Sequence, residues 1–188
     1  MPKVVDPDRR RKALSRALWR VIQHDGIGAV SVRSVAAEAD CSPSALRHYF
    51  PSSEDMLAEA LLLARQQQRR RIDSLKLVAP QGERVRQLWR ETLPLNEESY
   101  LEAQVWLSVQ VAIKTVSVRA ALAAIDEELD HFCRWTAVVL TPESEPSVVG
   151  AEIRSFTDGL TMNAVLRPHI FDPENISVLF DSYLARLQ

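Results

Sequence analysis

The residues whose types and spacing could do chemistry fall into three groups. In the stretch from Ser31 to Leu57, Leu46 and Phe50 have the character of inward anchors, which leaves Pro43, Ser44, Ala45, Arg47 and His48 pointing outward. A helix that short, presenting such a face, is useful as something inserted into a nucleic-acid groove. Upstream, Arg9-Arg10-Arg11-Lys12 supplies charge for phosphate oxygens, and contacts of that kind weaken steeply as salt rises. The second group is Asp126-Glu127-Glu128 with Asp130, His131 and Cys133. Metal binding or acid/base work would need these side chains to converge, but consecutive residues on a helix diverge, and one His-x-Cys without a second pair is a weak zinc signal. A solvated helix face is the expected role. The third group is Trp89, Tyr100, Trp106, Trp135 and Phe156, joined by Gln110 and Asn163, two polar residues within apolar stretches. These are candidates to line a small-molecule pocket, although aromatics at helical spacing also fill cores. There is no phosphate-cradling glycine loop and no nucleophile elbow, so neither enzymatic activity nor a cofactor or metal is expected.

Helical periodicity must position these groups. Leu14, Ala17, Leu18, Val21 and Ile22 recur at spacings of three and four between Asp8 and Asp25, with Gly26 beyond as a stop. Val30-Ser31 reads as a staple residue and an N-cap for a second helix, Val32 to Glu38. Ala36, Ala37 and Ala39 keep that helix thin where the next one crosses it. Ala39-Asp40-Cys41 breaks it, and Ser42-Pro43 pairs a capping serine with a proline at the first helical position, opening a third helix to Tyr49. Ser52, with Asp55 reaching back to it, caps a fourth helix running toward Leu77. Further helical patterns cover Val85 to Leu93, Glu97 to Thr115, Val118 to Leu140, Val148 to Leu166 and Glu174 to Leu187, about nine helices in all. The expected fold is all-α, with no strand alternation.

Composition agrees with helices. Five glycines in 188 residues are few for a strand-and-turn architecture. Two cysteines, Cys41 and Cys133, cannot make a disulfide framework and suit a reducing compartment. The opening MPKVVDPDRR has no apolar core behind its charges, and no uncharged apolar run is long enough for a bilayer. A soluble, cytoplasmic protein without a membrane partner is expected. The net charge of −2 hides an asymmetry: residues 1–50 carry nine Lys/Arg against five Asp/Glu, leaving 14 against 20 for the rest. A basic head on an acidic body is the pattern of a phosphate-binding module joined to a different kind of domain.

Residue by residue, the head resembles the TetR family of regulators. The matching positions are Ser31, the pair Val35-Ala36, Ala39, Ser42, Leu46, the pair Tyr49-Phe50, and Glu54-x-x-Leu57. Asp40 and Ser44 stand where the family usually has glycine, Arg47 where it has Tyr, and Ser53 where it has Lys. The resemblance implies a helix-turn-helix head over 1–53 (helix-turn-helix about 31–50), joined by a long helix to an antiparallel ligand-binding and dimerisation body over 54–188. It implies that Ser31, Arg33, Arg47, Tyr49 and Ser53, with Arg10, hold phosphates, that Ser42 caps the recognition helix, and that Pro43, Ser44, Ala45 and His48 face base edges. Trp106, Val118-Arg119-Ala120-Ala121-Leu122 and Asp158-Gly159-Leu160 resemble the BetI-like subset. There the last two long helices, here Ser155 to Leu166 and Asn175 to Leu187, pair across a two-fold axis. The expected partners are a palindromic double-stranded DNA operator, a small-molecule effector and a second copy of the chain. The alternative is a helical small-molecule-binding or scaffold protein whose head has lost DNA function, motivated by the missing Lys and Gly.

Overall fold

The structure is a computed structural model, and it describes residues 6–76, 78–111 and 115–187. The described residues form nine α-helices and no strand: α1 Pro7–Asp25, α2 Val32–Glu38, α3 Pro43–Tyr49, α4 Ser53–Ser74, α5 Gln81–Arg90, α6 Glu97–Val111, α7 Val116–Leu140, α8 Pro146–Leu166 and α9 Pro173–Leu187. A 3₁₀ turn, Ile27–Ala29, links the first two. The expected stripe of α1 is its buried face, and Gly26 ends the helix at φ 79, its N–H reaching the Ile22 carbonyl at 3.0 Å.

Several boundaries differ from the sequence expectation, each for a local reason. α4 stops at Ser74: the Ser74 hydroxyl donates to the Arg71 carbonyl at 2.7 Å, and the Leu75 N–H closes a tighter bond to Ile72. A side chain that competes for the last-turn carbonyls ends a helix. Leu75 and Lys76 are therefore not helical, and Leu77, the expected end, lies outside the described residues. α6 is described only to Val111; residues 112–114 of the expected Glu97–Thr115 helix also lie outside, and Thr115 belongs to the next helix as its N-cap, accepting from the Val118 N–H at 3.3 Å. α7 therefore opens at Val116, two residues earlier than expected. Pro146 and Pro173 start α8 and α9 where the sequence suggested loop, because a proline at the first helical position has no amide to waste and the right φ.

Two buried clusters hold these helices. The first joins Leu14, Leu18 and Ile22 of α1 to Val35, Leu46, Phe50 and Met56, and continues into Val105 and Val109 of α6 and Val118 and Leu122 of α7. The second packs Val85 and Trp89 of α5 against Cys133 and Ala137 of α7, Ile153 and Leu160 of α8, and Ile176, Phe180 and Leu184 of α9. α7 and α8 share the most extensive pairing. Gly150 permits it: a Cβ there would stand 3.1 Å from the Arg134 backbone nitrogen. α4 packs on α1 of the head and on α6 and α7 of the body.

Candidate functional site

Caps fix the starts of α2, α3 and α4. At the start of α2 the Ser31 hydroxyl accepts from the Ser34 N–H at 3.1 Å, while the Ser34 hydroxyl oxygen accepts from the Ser31 N–H at 3.0 Å. At α3 the Ser42 hydroxyl accepts from the Ala45 N–H at 3.1 Å, with Pro43 following. At α4 the Ser52 hydroxyl accepts from the Asp55 N–H, and the Asp55 carboxylate accepts from the Ser52 N–H, each at 3.1 Å. Donor bonds from Ser117, first, and Ser52 hold the Asp55 carboxyl below the usual range. Ala36 is buried beneath α3, whereas Ala37, expected on the same contact, is exposed.

Between α2 and α3 the chain turns through Asp40 at φ 47, the only positive φ outside glycine among the described residues. The Asp40 and Cys41 amides donate back to Ala37 and Ala36, which locks the turn. Asp tolerates this left-handed conformation better than most residues, and a β-branched side chain does not. Asp40→Val should therefore lower the unfolding free energy by about 1–2 kcal/mol, while Asp40→Gly should leave it unchanged or raise it slightly. Urea unfolding of both variants checks the pair.

This frame presents one side of α3 to solvent. Leu46 and Phe50 are fully buried, whereas Pro43, Ser44, Ala45, Arg47 and His48 are exposed. His48 meets the half-buried Tyr49 ring edge-on, with centroids 5.3 Å apart. Arg33 is exposed on α2 and Ser53 at the first position of α4; Ser31 and Ser42 are held in their caps. Arg10 shares a surface groove with Glu38, Ala39 and Asp40, beside the turn. Within the basic run, Arg11 has another job that sequence reasoning missed. Its guanidinium lies 4.8 Å from the Phe50 ring centroid and pairs with Glu59 at 2.7 Å, tying α1 to α3 and α4.

The body contains two adjoining cavities. An outer one of about 630 Å³ lies among α4, α5 and α7, with Trp135, Phe132 and His131 in its wall. An inner one of about 100 Å³ lies among α4 to α8, with Trp89, Trp106, Glu102 and Asp158 in its wall. Arg65, Thr92 and Leu129 belong to both walls. Of the expected pocket residues, Trp89 and Trp106 come together on the inner cavity and Trp135 joins the outer. Trp89 is also core: it is 1% exposed, packs on Phe132 with centroids 4.6 Å apart, and donates its indole N–H to Thr136 at 3.0 Å. Tyr100 and Gln110 are half-buried on α6 outside both walls. Phe156 stacks on Tyr183 of α9 with centroids 4.0 Å apart, and the Asn163 amide donates to the Gly159 carbonyl of its own helix at 2.8 Å.

Ion pairs beside the inner cavity are the feature that sequence reading did not find. Arg71 of α4 reaches Glu91, Glu98 and Glu102, at 3.1, 3.1 and 2.7 Å. Arg154 of α8 reaches Asp126, Asp130 and Asp158, at 2.7, 2.8 and 2.8 Å. Arg65 pairs with Glu128 at 2.6 Å. The acidic run does lie at the surface, with Glu127, Glu128 and Asp130 exposed, and three of its carboxylates also pair with guanidinium groups of α4 and α8. Each of the two hubs sets three carboxylates around one cation. Burial pushes the Glu102 and Asp158 carboxyls above their ordinary range despite those partners. Burial also pushes the Cys133 thiol up to about 12, the behaviour of an inert core cysteine. Among the described residues no group of three His, Cys, Asp or Glu could hold a metal ion, and no helix is long and apolar enough to cross a membrane.

Comparisons with known proteins now bear on this arrangement. Residues 14–60 match the family described as bacterial regulatory proteins, tetR family, and residues 81–188 match the BetI-type transcriptional repressor, C-terminal. The chain is 30% identical to the HTH-type transcriptional regulator PksA of Bacillus subtilis over 183 residues, covering 89% of this chain and 84% of that one. A solved transcriptional regulator from Rhodococcus sp. Rha1 superposes with a TM-score of 0.79 at 23% identity, covering 94% and 95% of the two chains. A regulator from Saccharomonospora viridis, solved in complex with choline, has a TM-score of 0.75 at 18% identity, covering 95% and 96%. Regulators of this kind act by binding, without an enzymatic reaction. The two matched segments cover most of the capped head and the body from α5 onward, and the chain belongs to the TetR family of transcriptional regulators, with a body of the BetI repressor type.

Proposed function

We propose that the protein is a cytoplasmic one-component repressor that binds a palindromic operator as a dimer and is released by a small organic cation. The observation that carries the reading is the outward face of α3, five exposed residues over two buried anchors. In this reading residues 1–53 form the DNA-binding head and 54–188 the body. Pro43, Ser44, Ala45 and His48 face base edges, while Arg10, Ser31, Arg33, Arg47, Tyr49 and Ser53 hold phosphates, with Ser42 capping the helix between them. Phosphate contacts set register and base contacts read sequence. With no Arg or Lys in the base-facing set, specificity rests on methyl contacts and DNA shape. Dimerisation through α8 and α9 is supported by Met162, Leu166, Val178 and Leu179, large apolar side chains exposed on those helices. The effector class is supported by the choline complex of the Saccharomonospora protein and by the aromatic and acidic wall of the inner cavity.

Gel-shift titration on DNA upstream of the encoding gene tests the head. Binding should saturate, weaken steeply between low and physiological salt, and fall about tenfold with Arg47→Ala, the scale of one charge-assisted phosphate contact. Unchanged affinity in that variant would remove Arg47 from the interface. Absence of saturable binding to any upstream fragment would remove the reading.

A further inference from the structure

The inner cavity and the Arg71 hub share one carboxylate. Glu102 lies in the cavity wall and is 8% exposed, and it accepts two bonds from Arg71, at 2.8 and 2.7 Å. Arg71 is not in that wall; it approaches from the last turns of α4, the helix tied to α1 of the head through the Arg11–Glu59 pair. Neighbouring hydroxyl protons are already committed. Thr92 donates to the Trp89 carbonyl, Ser99 to the Asn96 carbonyl and Thr157 to the Ile153 carbonyl. The Trp89 N–H is spent on Thr136, so its ring offers the cavity carbon surface. Arg65, the guanidinium in this wall, is paired with Glu128 of α7 and with the Gln68 amide oxygen, so the wall has little left to give an anion. A cation, by contrast, gains an aromatic face and a carboxylate that burial leaves poorly stabilised.

We propose that Glu102 is contested: Arg71 holds it in the DNA-competent form, and an organic cation in the inner cavity competes with Arg71 for the same carboxylate, reducing the hold of Arg71 on α6 from two carboxylates to Glu98 alone. This rests on the reading of the body as the receptor for a cationic effector. The coupling follows from linkage. A ligand shifts an equilibrium only through its different affinity for the two states, and the two states here differ in whether the carboxylate is already paired. Glu91 and Glu98 make the exchange feasible, since Arg71 keeps two carboxylates when it gives up the third.

Calorimetric titration of the full-length protein with tetramethylammonium chloride at pH 8, against sodium chloride as control, tests the competition. Removing the internal rival with Arg71→Gln should tighten tetramethylammonium binding about tenfold, the effect expected of one unit charge several ångströms away at intermediate dielectric. Glu102→Gln should abolish it. Glu98→Gln, at a half-exposed rim position that folding tolerates, should weaken it a few-fold, because Arg71 is then left more fully to Glu102. A purely structural Arg71 would leave affinity unchanged or reduced in Arg71→Gln, and that outcome overturns the proposal. Unaltered binding in Glu102→Gln overturns it too. Failure of the wild type to bind any tetramethylammonium overturns both this and the cationic-effector reading, while operator binding in the gel shift stands or falls separately.

Discussion

Phe50→Ala should lower the unfolding free energy by about 3–5 kcal/mol and remove specific DNA binding with it. The ring is fully buried at the corner where α3 ends and α4 has yet to begin. It belongs to the same cluster as Leu14, Leu18, Val35, Leu46 and Met56, and the Arg11 guanidinium covers it. Truncation leaves a void that α1, α3 and α4 cannot all close, because each is pinned by its own cap and α1 is pinned to α4 through Glu59. Against a total stability of about 5–15 kcal/mol for an ordinary domain, that loss is a large fraction. The substitution touches no outward residue of α3, so lost operator binding would report the positioning of the helix rather than its contacts. Urea unfolding gives the stability change, and gel shift well below the midpoint gives the function. A loss under about 1 kcal/mol, outside the range for a buried Phe, would mean that the corner repacks.

The same cluster is the route by which the proposed effector in the body would act on the head. Head residues share continuous apolar packing with Val105 and Val109 of α6 and with Val118 and Leu122 of α7. Polar ties run along the same helix: Asp55 near the start of α4 accepts from Ser117 of α7, Arg65 at its middle pairs with Glu128 of α7, and Arg71 near its end grips α6. α4 is therefore held at three heights by the body while its N-terminus is fused to the recognition helix through Phe50, Pro51 and Ser52. Under the proposed mechanism a change at any one tie would act on α4 as a whole, since a packed helix moves as a rigid element.

What could be read from the sequence follows the range of the interactions concerned. Caps, the left-handed turn at Asp40 and the inward stripe of α1 are set by residues within four positions of one another, so Ser31, Ser42 and Ser52 announce them directly. The outward face of α3 was equally legible, because Leu46 and Phe50 fix the rotation of a helix only seven residues long. The ion-pair hubs were not. Arg71 meets Glu102 across 31 positions and Arg154 meets Asp126 across 28, distances over which charge patterning carries no register. For the same reason the acidic run on α7 was legible as an exposed face but not as a set of partners for α4 and α8. Aromatic residues told least. Trp89, Trp106 and Phe156 share a residue class and a periodic setting, yet one is core and cavity wall, one cavity wall and one a stacking partner for α9.

Val178→Glu should convert the protein from dimer to monomer and weaken operator binding about 10²-fold or more, the avidity that two linked heads supply. Val178 is 62% exposed on α9, with Leu179 beside it and Met162 and Leu166 exposed on α8. Four large apolar side chains on two adjacent helices are poorly explained by a solvated monomer and well explained by burial against a second copy. At a two-fold interface one substitution acts twice, placing two carboxylates in the region the partner must desolvate. Within the monomer the same change adds a charge to an exposed helical position, so folding should be nearly unaffected. Sedimentation velocity gives the oligomeric state, circular dichroism the helix content, and gel shift the loss of operator affinity. A fully helical monomer with weak half-site binding is the expected result. A variant that stays dimeric would move the interface off α9, and a monomer that binds the operator as tightly as the wild type would show that the two heads do not bind together.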